Sequence, residues 1–274
     1  MHFINMNTYI WGPSLWRILH TVAFVPDSEV AERLVRVLKK TLPCSFCRES
    51  FGGFVRQLDE KYQLDVRDVV SQGKLYQWMY DIHELVNDKL DRQRAHDAVK
   101  PMAVAAMAAS RGASSLSIGD MTSVLEKAME TGGAFRSRRP TLECVEKRFA
   151  IQPVAFSAAD VFSFMFIVAL NYPSEAEMRT DATAPERAAS YPELWSVLGE
   201  VVRKCGGAPA LAMAIGDAPN DSIPNHPSDS WWFQQVYLAR CAFRRDKPST
   251  KKEMDLKKRY ALAKAGSCIH GSCI

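Results

Sequence analysis

Leu42-Pro43-Cys44-Ser45-Phe46-Cys47-Arg48-Glu49-Ser50-Phe51 is the stretch from which the rest of the chain is read. A Cys-x-x-Cys pair follows a proline and opens a helical pattern whose apolar face runs on through Phe51, Phe54, Val55 and Leu58. At a helix N-terminus, unbonded N–H groups and the positive end of the dipole stabilise a thiolate. Thiols in such pairs have pKa values lowered to roughly 3.5–7.5, and the thiolate is the form that attacks disulfides. Cys44 and Cys47 are therefore read as a redox pair. No alternating strand pattern accompanies them, which argues against a thioredoxin-like βαβ unit.

Working outward, Leu15, Ile18, Leu19, Val22 and Ala23 repeat at helical spacing, with Pro13 in a first turn and Pro26 as the stop. Asp27 or Ser28 caps a second helix with Val30, Leu34, Val37 and Leu38 on one face. Beyond the cysteine helix, residues 62–72 form a connector, and a long helix runs from about Lys74 to Gln93. Four helices with short links predict a bundle. Composition shifts between Arg92 and Ser117, where an Ala/Met-rich stretch follows Pro101. This places a domain boundary near residue 97. The expected fold is all-α: residues 1–97 as a four-helix bundle and residues 98–274 as a second, mainly helical domain, with helices over 120–131, 142–149, 157–170, 185–205 and 231–243. Trp195 and Trp231-Trp232-Phe233 are read as core, with a dimer or client surface as the alternative.

The 274 residues are 47% hydrophobic and 24% charged, enough for a sizeable core. The net charge of +4 is scattered, so no nucleic-acid partner is expected. No apolar run approaches the roughly 20 residues that span a bilayer, and Met1 to Ile10 lacks a secretory pattern. Seven cysteines are too few for a disulfide scaffold in a chain this long. Cys144, Cys205 and Cys241 stand alone in sequence, and any one bridge among them leaves three pairings open. A four-cysteine zinc site pooling Cys44, Cys47, Cys268 and Cys273 fits by ligand type, but the redox reading is preferred and no metal is expected.

Trp16 and His20 share one face of the first helix, and Trp78, His83 and Asn87 lie on the fourth. Singly, each is a core residue. Together, aromatic rings with imidazole and amide edges suit a flat heterocycle. Trp11-Gly12-Pro13-Ser14-Leu15-Trp16-Arg17-Ile18-Leu19-His20 resembles the W-G-P-x-x-W-x-x-L-H opening of the Erv/ALR sulfhydryl oxidases. Residues 42–51 resemble that family's P-C-x-x-C-x-x-x-F, and residues 78–90 its W-x-x-x-x-H-N-x-V-N-x-x-L. The three motifs stand in order within residues 8–95, and the opening is most similar to members encoded by large DNA viruses.

The resemblance implies a homodimeric bundle holding FAD, with Cys47 against the flavin as the charge-transfer thiolate and Cys44 as the exposed partner that incoming thiols attack. Trp11, Trp16, His20, Trp78, His83 and Asn87 would line the FAD site, with Lys89 and Arg92 near its phosphates. Glu84 stands where the family usually has Asn, and an acid near a diphosphate is unfavourable unless it points away or bonds an adenine or ribose group. The extra cysteine pair that staples many cellular bundles has no counterpart directly after the fourth helix.

The implied activity is FAD-dependent oxidation of protein thiols, with electrons passing through Cys44/Cys47 to O2 and giving H2O2. A flavin-free dithiol–disulfide exchange protein and a non-enzymatic helical assembly protein are the alternatives. Cys268 and Cys273, in a Gly/Ser-rich tail, are read as a shuttle dithiol feeding Cys44, with a local structural bridge or an inert tail as the alternative. The viral resemblance and the absence of a visible leader point to the host cytoplasm at a site of viral assembly, with packaging into particles.

Overall fold

The computed structural model describes residues 8–24, 28–62, 68–69, 73–110, 141–144, 147, 156–205, 209–216, 223–224 and 227–265. Every regular element among them is a helix. The first four are α1 (Thr8–Ala23), α2 (Ser28–Thr41), α3 (Ser45–Tyr62) and α4 (Leu75–Ser110). Then come α5 (Ala158–Ala169), α6 (Glu175–Thr180), α7 (Ala184–Ala189), α8 (Tyr191–Lys204), α9 (Pro209–Gly216), α10 (Asp229–Arg244) and α11 (Thr250–Ala265). No described helix is long and apolar enough to cross a membrane.

α2 shows why these segments are helical and where they bury. Val30, Leu34, Val37 and Leu38 recur at 3.6-residue spacing and are buried, while Arg36 and Lys39 face water. α1 follows the same rule with Leu15, Ile18, Leu19 and Val22. It starts at Thr8, so Pro13 lies inside the helix. Pro13 removes one backbone hydrogen bond, but buried Trp11 packs on Phe164 with ring centroids 6.4 Å apart, and that contact secures the extra turn. α4 continues past residue 97 without a break to Ser110.

α1 packs against both α4 and α5, and α2 against both α3 and α8. The helices after residue 156 thus form a layer over the α1–α2 side of the bundle, and the two halves share one continuous apolar core. The segment expected as one helix over 185–205 is split into α7 and α8 at Ser190. Pro192 sits in the first turn of α8, where its missing N–H costs nothing. α6, α9 and α11 were not anticipated. α6 is set by a capping box between Ser174 and Glu177, and α11 docks Tyr260 against Phe166 and Phe233. Trp195, Trp232 and Phe233 are buried in the second half, and the Trp195 indole donates to the Ile215 carbonyl at 2.7 Å. These three are core, while Trp231 is half-buried and edge-on to Trp232. The helix expected over 120–131 lies outside the described residues, as do Cys268 and Cys273; of 142–149 only 142–144 and 147 are described.

Polar clasps fix the two layers. Arg33 of α2 reaches Glu193 at 2.8 Å and Glu200 at 2.6 Å on α8. Asp160 of α5 accepts from Arg17 at 2.6 Å and from the Ser14 hydroxyl at 3.2 Å, while completing the capping box with Ser157. Burial alone would raise the Asp160 carboxyl, but hydrogen bonds from Ser157 and Arg17 outweigh it and hold it below the usual carboxylate range. Asp160→Ala should cost about 2 kcal/mol, since it deletes a cap and an acceptor of two α1 donors. A fall in Tm of roughly 4–8 °C should follow. The folded pKa lies below the unfolded one. This stabilisation is therefore present above the unfolded value near 4 and is lost as pH falls through the folded value. Thermal melts of wild type and variant should converge in acid; a gap unchanged from neutral pH to about pH 2 would contradict the assignment.

Candidate functional site

A cavity of about 370 Å³ opens between α1, α3 and α4. Each helix supplies a stripe at i, i+3, i+4, i+7: Gly12, Leu15, Trp16 and Leu19 from α1; Cys47, Ser50, Phe51 and Phe54 from α3; His83, Val86, Asn87 and Leu90 from α4. The walls are mostly apolar, and the polar groups are few: a thiol, a hydroxyl, an imidazole, an amide and the ammonium of Lys89. Such a lining suits a large, flat, partly polar ligand.

The polar groups are oriented by their neighbours. Trp16 stacks on His83, with centroids 3.9 Å apart and planes at 14°. His20 Nε2 lies 2.8 Å from His83 Nδ1, so one ring presents an N–H and the other a lone pair. Lys89 Nζ donates to the Ser50 hydroxyl, joining α4 to α3. The Asn87 amide donates to Glu84 at 3.0 Å, so this acid accepts a hydrogen bond from its own helix and does not line the cavity. The buried Nε1 of Trp11 has no acceptor among the described residues.

Of the residues singled out in the sequence, Trp11, Trp16, Cys47, His83, Asn87 and Lys89 line the cavity. His20 stands behind His83. Trp78 is fully buried in the bundle core and does not reach the cavity. Arg92 is exposed, with its Nε on the Asp88 carbonyl at 3.2 Å. Two residues beyond Leu90, it is turned by about 200° from the α4 stripe. Ser50 and Phe54 were missed, although extending the stripe from Cys47 by three and seven residues finds them.

Cys44 requires a correction. The resemblance implies an exposed sulfur, yet Cys44 is 0% exposed, while Cys47 is half-buried on the cavity wall. The cause is the second layer. α7 and α8 pack along α2, and Lys40 at the end of α2 pairs with Glu186 of α7 at 2.8 Å. The α2–α3 corner that carries Cys44 is thereby enclosed. Arg48 is drawn in with it: burial first, then the charge of Arg187, lower its pKa. Cys205 and Cys241 are buried in the second half, and Cys144 is exposed.

Residues 13–103 match the model of the Erv1 / Alr family, roughly a third of the 274-residue chain. The chain carries an Erv1 / Alr family domain there. A protein of Invertebrate iridescent virus 6 named as an FAD-linked sulfhydryl oxidase is 27% identical over 105 residues, covering 35% of this chain and 92% of that protein. No solved structure matches the chain.

Proposed function

We propose that this protein is an FAD-linked thiol oxidase that makes disulfides in protein substrates. One observation carries the proposal: half of a Cys-x-x-Cys pair, Cys47, opens onto an aromatic-walled cavity with few polar groups. The donor set fits a flavin dinucleotide. Trp16 and His83 offer aromatic surface, the orphan N–H of Trp11 offers a donor, and Lys89 is a cation for phosphate. These residues and Asn87 would hold the group. The chemistry a bound flavin supplies is transfer of two electrons from the reduced pair to O2, giving H2O2.

The chain's own residues do the thiol chemistry. Because Cys44 is enclosed, the α2–α3 corner would have to open for the first step, in which a substrate thiolate attacks the sulfur of Cys44 in the Cys44–Cys47 disulfide and Cys47 leaves as a thiolate. A second substrate thiolate attacks the substrate sulfur of the mixed disulfide, and Cys44 leaves. Two substrate thiolates become one disulfide, and the pair gains two electrons. The Cys47 sulfur, at the wall, is the one positioned to pass them on. The iridescent-virus relative and the family domain support this reading. A homodimer belongs to the same proposal. Its interface would lie away from the α1 and α2 faces, which α5 and α8 of the same chain cover. So does a cytoplasmic site of viral assembly with packaging into particles.

Aerobic incubation with a reduced protein such as thioredoxin tests the activity. Catalytic loss of thiols with one H2O2 per disulfide is expected; loss limited to one disulfide per chain would mark flavin-free exchange. The tail pair Cys268 and Cys273 is proposed as a shuttle acting at an effective concentration up to roughly millimolar. Cys268→Ala combined with Cys273→Ala should slow oxidation of the protein substrate about tenfold while sparing dithiothreitol. Equal loss on both substrates with a lower Tm would make the pair structural.

A further inference from the structure

Two guanidinium groups converge on the enclosed corner that holds Cys44. Arg48, one turn into α3, donates Nη1 to the Leu42 carbonyl at 2.6 Å, a neutral acceptor. Its charge lies within electrostatic reach of Cys44, Arg187, Tyr191 and Asp181. No carboxylate among the described residues is at ion-pair distance from it. Arg187 arrives from α7, in the other half of the chain. It is 5% exposed and pairs with Glu177 at 3.0 Å and Asp181 at 3.5 Å, yet its Nε is a buried donor with no acceptor among the described residues. The other charged groups at this corner, Lys40 and Glu186, pair with each other, and the Tyr191 hydroxyl donates to the Val168 carbonyl.

A half-buried cation resting on a carbonyl and a buried N–H without an acceptor are both unfavourable. A single anion at the corner is attracted by both guanidinium charges. Cys44 can become that anion, and it does so each time the mixed disulfide is resolved. We propose that Arg48 and Arg187 are positioning residues that stabilise the Cys44 thiolate, so that the half of the chain after residue 156 sets the redox poise of the pair in the first half. This rests on the reading of Cys44–Cys47 as a thiol-exchange pair. The stabilised thiolate is the better leaving group when the second substrate thiolate attacks, and the pair becomes easier to reduce.

The test uses the full chain equilibrated anaerobically in glutathione buffers, acid-quenched and alkylated, with the state of Cys44–Cys47 read by mass spectrometry. Arg187→Gln should move the half-reduction point about tenfold toward harder reduction, about 30 mV for this two-electron couple. Arg187→Lys, which keeps the charge, should recover most of the shift. An unchanged midpoint in folded Arg187→Gln overturns the proposal. Should that variant not fold, the alkylation rate of Cys44 against pH in Cys47→Ser decides. A Cys44 pKa below the ordinary thiol value of about 8.5 is expected, and one at or above it overturns the proposal. Flavin absorbance of the same samples separates the two claims: a colourless protein with a shifted midpoint counts against the oxidase reading alone, and a yellow one with an unshifted midpoint counts against the arginines alone.

Discussion

Replacing either Cys44 or Cys47 by alanine is expected to lower the rate of thiol oxidation by about 10³-fold or more, and replacing both should be no worse than replacing one. Residues that act as one unit are lost as one unit. Among the described residues, Cys47 is the one cysteine that lines the cavity. The two variants should nevertheless look different. Cys44→Ala leaves the Cys47 sulfur alone at the cavity wall, where its thiolate beside oxidised flavin should add a long-wavelength charge-transfer band. Cys47→Ala leaves only the buried sulfur and should add none. Bands appearing the other way round would reverse the roles. That comparison bears directly on the enclosed position of Cys44, which is the wrong one of the two sulfurs for an unhindered substrate to meet.

His83→Ala should weaken flavin binding by roughly tenfold to a hundredfold. His83 is the face on which Trp16 stacks and the partner of His20. Without it the Trp16 ring is free to turn and a polar edge of the cavity is gone. The aromatic pair is worth about 0.5–1.5 kcal/mol beyond the area it buries and the hydrogen bond to His20 about 1 kcal/mol, which together cover that range of affinity. Fluorescence titration of the apoprotein with FAD reads it. An affinity equal to wild type in a folded variant would remove the Trp16–His83–His20 cluster from the binding site.

The bundle and the cavity were legible because their signals are local. Helical spacing in α1, α2 and α3, the proline before Cys44, and the Trp/His/Asn positions on α1 and α4 each lie within one helix. What was not legible depends on contacts between segments far apart in the chain. The early start of α1 depends on Trp11 meeting Phe164. The burial of Cys44 depends on α7 and α8 lying over α2, and nothing in the amphipathic face of a helix names the neighbour that will cover it. The composition shift between Arg92 and Ser117 does not interrupt the helix, because Ala and Met are strong helix formers and α4 runs through to Ser110. Glu84 looked misplaced beside a diphosphate until the Asn87 amide was found on it. Arg92 looked like a phosphate ligand because it is basic and near Lys89 in sequence, whereas its angle around α4 turns it away.

The visible absorption spectrum of the purified full chain, taken after incubation with FAD and removal of the unbound excess, tests the central claim most directly. A flavin spectrum corresponding to about one FAD per chain is expected, bleached by dithiothreitol without air and restored when air returns. A folded chain that emerges colourless would contradict the account, and the Cys-x-x-Cys pair would then serve thiol exchange without a flavin.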